Sequence, residues 1–397
     1  MKILIITQYF WPENFRINDL AKELVNRGYK VDVLTGQPNY PDGKFYNGYS
    51  FKFSNEIFSG INIIRVPIIP RGTNYFTLSL NYLSYAVFAS LYILFNKGKY
   101  QNIFSVNYSP ITSLIPAIIG KIKFKIKLFI WVQDLWPESV KAVTKKDYKI
   151  VNYLLNKLVK TIYYYSDKIL ISNKGFEKSI TKKKVKKNKI KFMPNWAEDV
   201  FDNLDDIDSK KYKSLIPEGF TVMFTGNLGE AQDLPNILKA IDLTENKINW
   251  VFLGSGRKLN WFKKKIDQKK LNHRVKLLGS YPLKEMPHFF YHADLTLVSL
   301  TDEYIFSLTM PGKVQSYMAS SKPIVSMLNG EGNEIIKKAK CGFCAKSSDF
   351  KKLANNINFA SNLDKVKLLE YGKSSRKYYE SNFKKNKIID DFCKLLN

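Results

Sequence analysis

The sequence predicts two doubly wound α/β domains in series, and three observations carry that prediction. The chain opens as strand, helix, strand; the same alternation starts afresh near residue 221; and the stretch between the two runs is polar, acidic and bounded by prolines. In the opening, KILIIT from Lys2 is an apolar run of strand length. The next apolar residues, Ile17, Leu20, Ala21, Leu24 and Val25, fall at the spacing of one helix face. Gly28 ends that helix, and KVDVLTG from Lys30 is the second strand. IIRVPII, IFSV, IKLFIWV (closing at Val132) and KILIS continue the pattern, with helical stretches between them. The restart runs TVMFTG from Thr221, a helix with Leu234, Ile237, Leu238 and Ile241 on one face, then NWVFLG, RVKLLG, ADLTLVSL and KPIVSML. The expected domains are residues 1–200 and 220–378, with 201–219 as linker. In the expected architecture the carboxyl ends of both sheets face a cleft, and ligands of open α/β sheets bind at such ends.

Charge and composition narrow the partners. A net charge of +28 over 397 residues suits phosphorylated small molecules, anionic lipid or nucleic acid. Much of the excess is Lys, and Ile, Asn, Phe and Tyr are also abundant, which an AT-rich coding sequence would equally produce. No recognisable nucleic-acid module is present and the Lys residues are spread over both halves, so nucleic acid is not an expected partner. Three Cys give no disulfide framework, and the reducing cytoplasm is the expected compartment. MKILIITQYFWPE reads as a buried strand without a cleavage site, so no signal peptide is expected. Residues 74–96 carry no charge and approach the length of a spanning helix. Their Asn, Ser and Tyr residues argue instead for a helix on the body of the protein or in a lipid interface. TKKKVKKNKIK, from Thr181, is either a solvated loop or a site for anionic lipid or a polyphosphate acceptor.

Residues able to do chemistry follow the strands. WVQDLWPESV sets Gln133, Asp134, Trp136 and Glu138 after a hydrophobic strand, where Asp134 either serves as an acid/base group or caps the next helix. QYFWPENFR offers Glu13, Asn14 and Arg16, and the loop QPNYPDGKFYNGY offers Asn39 and Tyr40 for a sugar or base. In the second half, Gly226, Asn227 and Gln232 lie in FTGNLGEAQDL, and Gly254, Gly256 and Arg257 lie in FLGSGRKL. Pro311, Gly312 and Lys313 open a helix that continues through Gln315 and Ser316. Glycines between strand and helix let amides approach phosphates, and three such places in one domain point to a nucleoside diphosphate. No GxGxxG fingerprint or GxxxxGK[ST] loop is present. Asp206-Ile207-Asp208 spells a D-x-D in the acidic linker, where no metal role is expected. CGFC (Cys341–Cys344) is read as buried thiols on a short strand.

Taken together, these blocks resemble the bacterial family 4 glycosyltransferases of GT-B architecture, in the branch that builds O-antigens, capsules and colanic acid. QYFWPENFRINDLAKEL, RGYKVDVLTGQPNYPDGKFYNGY, WVQDLWPES, FTGNLGEAQDL, FLGSG, HADLTLVSL, MPGKVQSYMASSKPIV and NGEGNEI fall in the family's order along the whole chain. The resemblance implies a C-terminal domain that holds a nucleotide sugar, usually UDP-linked, as substrate and without a cofactor. It implies an N-terminal domain that holds an undecaprenyl-diphosphate-linked saccharide, retention of configuration, and no essential metal. It further implies that 379–397 packs back on the first domain, and that the enzyme works at the inner face of the cytoplasmic membrane. N-acetylfucosamine is the sugar suggested by the branch. Three departures stand out: Ser316 where relatives carry a ribose-gripping Glu, Gln133 where many carry His, and Asn227 and Gln232 where many carry Arg and Lys. A neutral contact to a hydroxyl is weaker than a charge-assisted one, so the alternative reading is a non-catalytic homologue that binds nucleotide sugar or anchors an assembly.

Overall fold

The computed structural model describes residues 1–72, 74–140, 149–205, 207–208 and 210–397. The chain divides into two units, residues 1–194 with 389–397, and residues 195–388. Asp206 of the D-x-D lies outside the described residues. Asp208 is exposed and its Oδ1 accepts from the Lys210 amide at 2.9 Å. Among the described residues no three His, Cys, Asp or Glu lie close enough to hold a metal ion.

The first unit is built on an eight-stranded sheet in the order β3-β4-β2-β1-β5-β6-β7-β8. Its strands are β1 Lys2–Ile6, β2 Lys30–Gly36, β3 Ser54–Phe58, β4 Ile61–Val66, β5 Asn102–Asn107, β6 Lys127–Val132, β7 Lys168–Ile171 and β8 Ile190–Phe192. All neighbours pair in parallel except β3 with β4. Helices cover both faces, so β1, β5 and β6 are buried almost throughout, which is why they read as unbroken apolar runs. The Arg16–Asn26 helix buries Ile17, Leu20, Ala21 and Leu24, and the turn after it passes through Gly28 at φ +84. Residues 389–397 belong to this unit: Phe392 packs on Phe104 and Phe129, and the Leu396 carbonyl accepts from Asn102 at 3.1 Å.

The Tyr75–Phe95 helix starts at Asn74, whose side chain accepts from the Thr77 amide at 2.8 Å. Two of its polar residues, Asn81 and Ser84, face inward. Asn81 is fully buried, donating to the Ile69 carbonyl at 2.6 Å and accepting from Gln8 at 2.8 Å, while Ser84 accepts from the Ile69 amide at 2.9 Å.

The second unit carries a six-stranded parallel sheet, β11-β10-β9-β12-β13-β14. Its strands are β9 Phe220–Thr225, β10 Ile248–Leu253, β11 Val275–Gly279, β12 Leu295–Ser299, β13 Ile324–Met327 and β14 Gly342–Ala345. The 201–219 stretch, expected as a linker, lies within this unit. Tyr212 stacks on Phe289 at 4.2 Å, Lys211 pairs with Glu285 at 2.6 Å, and Arg376 donates to the carbonyls of Phe201 (2.6 Å) and Asp202 (3.0 Å). Its polar composition is met by ion pairs and backbone bonds on the domain surface. Cys341, just before β14, is buried, and Cys344, within it, is half-buried; burial pushes the Cys341 thiol up to about 12, so it is an inert packing group.

Candidate functional site

Each sheet reverses its strand order at one place, beside β1 in the first unit and beside β9 in the second, and the candidate residues gather at the carboxyl ends around these points.

In the first unit, Asn107 at the end of β5 organises the turn after β6. Its carbonyl accepts the amides of Gln133 and Asp134, both at 3.0 Å, and its side chain donates to the Asp134 carbonyl at 2.8 Å. This fixes the Asp134 backbone while its carboxyl keeps no hydrogen-bond partner among the described residues, so it caps no helix. Burial raises that carboxyl to about 7, a value suited to proton exchange at neutral pH. Across from it stands a cluster the sequence reading did not single out. The Arg71 guanidinium lies 5.0 Å from the centre of the Tyr40 ring and acts on the hydroxyls of Tyr9 and Tyr82, and Asp134 also acts on Tyr82.

The other expected acceptor residues fare unevenly. Tyr40 packs with Tyr9 and Phe15 at 5.5 and 5.4 Å, forming an aromatic platform. Asn39 is buried, and its Oδ1 accepts from the Arg71 amide at 2.8 Å. Glu13 is buried too, and Oε1 takes the amides of Asn39 (2.9 Å) and Tyr40 (2.8 Å). It braces the loop rather than facing a ligand, and burial raises it to about 7 against the pull of those amides. Arg16 pairs with Asp19 at 3.1 Å, and Asn14 is exposed. Glu138 is taken up by Lys183 at 2.7 Å and by Ser179, because the Phe176–Lys182 helix passes beside it; this corrects its expected acceptor role. Trp136 is nearly buried, and its indole N–H has no hydrogen-bond partner among the described residues.

In the second unit the glycines serve another purpose than expected. A Cβ at Gly254 would fall 1.9 Å from the Gly226 carbonyl oxygen, and one at Gly256 would fall 2.4 Å from that of Leu228, at φ of +140 and +156. The loops after β9 and β10 lie against each other, laced by Leu228 N–H to Ser255 O (2.8 Å) and Lys258 N–H to Leu228 O (3.0 Å). The amides of Gly226 and Gly254 are committed to Leu253 and Gly279, at 2.8 and 2.7 Å, which corrects the reading of them as phosphate donors. Gln232 closes the turn by accepting from the Gly229 amide at 3.0 Å, Asn227 is exposed beside it, and Arg257 is exposed.

The Gly312–Ala319 helix has an open N-terminal entrance. Pro311 precedes it without a side-chain cap, and the Gly312 and Lys313 amides have no acceptor among the described residues. Gly312 is exposed with nothing near a Cβ position. Lys313 lies with its ammonium 3.7 Å from the centre of the Phe224 ring and its Cε 3.0 Å from the Cβ position of Gly226. It has no carboxylate partner among the described residues, and burial lowers it to about 7.

Gln315 is buried and donates to the Asn195 carbonyl at 2.5 Å, so it is not free for a ligand. Ser316 donates to Glu198 at 3.1 Å. A carboxylate from another part of the unit therefore stands beside the position where the sequence lacks one. Glu198 had no motif to announce it.

Residues 206–381 match the family model described as glycosyl transferases group 1. The matched stretch lies within the second unit. The matched residues include the laced glycine loops, Lys313 and Ser316. Two proteins similar to this chain are the probable glycosyltransferase WbjE of Pseudomonas aeruginosa, 28% identical over 67% of each chain, and the putative colanic acid biosynthesis glycosyl transferase WcaI of Escherichia coli (strain K12). The latter is 23% identical over 64% of this chain and 66% of its own. Anabaena HepE, solved in complex with UDP, superposes with a TM-score of 0.73 at 15% identity, covering 100% of this chain and 99% of its own. Sucrose-phosphate synthase from Thermosynechococcus elongatus gives 0.72 at 15% identity, over 99% and 97%. The fold is GT-B, two Rossmann-like domains.

Proposed function

We propose that this protein is a retaining glycosyltransferase that moves a sugar from a nucleotide donor to a lipid-linked saccharide in surface polysaccharide synthesis, without a metal or cofactor. The observation that carries the reading is Lys313, a buried ammonium with no carboxylate partner among the described residues, at an open helix entrance. A diphosphate supplies the missing counter-charge, and the ammonium and the free amides stabilise that diphosphate as it leaves. The group 1 match and the similarity to WbjE and WcaI support the reaction class, and the likeness to HepE, which binds UDP, supports a uridine donor.

In this reading Glu198, held by Ser316, takes the ribose hydroxyls. Asp134 orients the acceptor hydroxyl and relays its proton, near Tyr82, on which both Asp134 and Arg71 act. The sugar's bond to the β-phosphate breaks, and the acceptor oxygen bonds to the anomeric carbon from the same face. An N-acetylated deoxyhexose such as N-acetylfucosamine is the proposed sugar, and undecaprenyl diphosphate the carrier, which sets the enzyme on the inner face of the cytoplasmic membrane.

A thermal-shift panel of UDP, GDP, dTDP and ADP tests the donor site, since a ligand at 100 times its Kd stabilises by about 2.7 kcal/mol. A selective response to UDP, followed by turnover of a UDP-sugar with lipid-linked acceptors, is expected. Binding without turnover of any donor would favour a nucleotide-sugar-binding scaffold.

A further inference from the structure

The connections β4 to β5, β5 to β6 and β6 to β7 all run the same way along the first sheet, so right-handed crossovers put their helices on one face. The Tyr75–Phe95 helix packs against Ile115–Phe124, and that helix against Lys149–Tyr165, forming a continuous layer.

The first of these helices turns polar groups inward beside Ala86, Ala89 and Ile93 and carries an apolar stripe outward. Asn81, Ser84 and the Tyr85 hydroxyl bond inward, whereas Phe76, Leu83, Val87, Leu91 and Leu94 point outward at 42–72% exposure along one stripe. The pattern continues across the layer with Ile122, Ile150 and Leu154, each more than half exposed. No Asp or Glu occurs from residue 57 to 133, nor from 149 to 166. Lys97, Lys99, Lys125, Lys157 and Lys160 are exposed within those stretches. The first unit holds 32 Lys and Arg against 13 Asp and Glu, so it carries +19 of the chain's +28. At the edge of the layer, Lys157, Lys160, Lys184 and Lys186 line an open cavity of about 960 Å³ with Tyr164 and Tyr163, whose buried hydroxyl has no hydrogen-bond partner among the described residues.

We infer that the outer face of this three-helix layer docks on a bilayer containing anionic phospholipid. The stripe enters the acyl boundary, and the lysines lie among the phosphates. A second copy of the chain would bring like charge to the same face, and a neutral apolar partner would leave the lysines without counter-ions. This inference deepens the proposed function, resting on it only for the reason an acceptor on a lipid carrier would need such a surface.

Vesicle co-sedimentation of the whole chain tests it. Wild-type protein should sediment at low salt with phosphatidylcholine–phosphatidylglycerol vesicles, remain in solution with phosphatidylcholine alone, and be released by high salt. Leu83→Glu with Leu91→Glu, both at exposed positions, should lower partitioning at least about tenfold, and Lys97→Glu with Lys99→Glu should lower it for the anionic vesicles. Circular dichroism and the UDP thermal shift should be unchanged in both variants. The inference is overturned if the wild type ignores anionic vesicles at low salt, if the leucine variant sediments like the wild type, or if light scattering shows a dimer that the leucine substitutions dissolve. Vesicle binding that obeys these expectations without any UDP response would leave the docking face standing and remove the transferase reading.

Discussion

Replacing Lys313 by Met separates the cost of holding a buried charge from its use. Moving an ammonium from 10.5 to about 7 through burial costs its charged form on the order of 4 kcal/mol at neutral pH. The Phe224 face at 3.7 Å offsets about 1–2 kcal/mol of that. Met keeps the stem and drops the charge, so the ligand-free protein should gain about 2 kcal/mol, a rise in Tm of roughly 4–8 °C for a unit of this size. The same substitution removes a charge-assisted contact to the diphosphate worth about 1.5–3 kcal/mol, so UDP affinity should fall about 10–150-fold. Scanning calorimetry with and without UDP reads both effects. The sign of the pH dependence follows: the lysine carries its charge below about 7 and loses it as pH rises through that value, so UDP affinity should fall above neutrality in the wild type and not in the variant. A Lys313→Met protein that melts below the wild type when free, or that answers UDP as the wild type does, would refute the reasoning.

Three further outcomes are expected. Asp134→Asn keeps the Asn107 bonds to the backbone and should abolish turnover while leaving the UDP Kd unchanged; wild-type turnover should rise as pH passes about 7 and the carboxyl ionises, which a pH–rate profile checks. Glu13→Gln retains an oxygen for the Asn39 and Tyr40 amides. Because the folded carboxyl is raised to about 7, the wild type loses stability as pH rises from the unfolded value near 4.5 through 7, so the Gln variant should melt higher than wild type at alkaline pH and alike at acid pH. Glu198→Gln should weaken UDP about tenfold by isothermal titration, with Ser316→Ala producing a smaller loss by removing one of the bonds that hold the carboxylate; an unchanged Kd in both would remove the ribose role.

Most of the strands were legible because parallel strands covered on both faces must be apolar throughout, as in β5 and β6. β3 escaped notice because SNEIF is an antiparallel edge strand whose five residues are half in water, and β8 because three residues carry no period. The helix entrance at Lys313 was legible as a local pattern. That its ammonium is buried against Phe224 was not, since the two are brought together by β9 and a helix far along the chain. Gly254 and Gly256 looked like phosphate-binding glycines because loop-to-loop contact and loop-to-ligand contact impose the same steric demand. Gln315 and Glu138 looked free because their partners, Asn195 and Lys183, are distant in sequence.

The return of residues 389–397 to the first unit has a consequence for biosynthesis. Phe104 and Phe129 lie in strands made early, yet the ring that packs on them, Phe392, is separated from residue 194 by the whole of the second unit. At roughly 5–20 residues per second, a ribosome takes about 10–40 s to cover that distance. During that interval the second unit can finish folding while the first waits with an apolar seam open. The half of the protein that is translated first is therefore the half that is completed last.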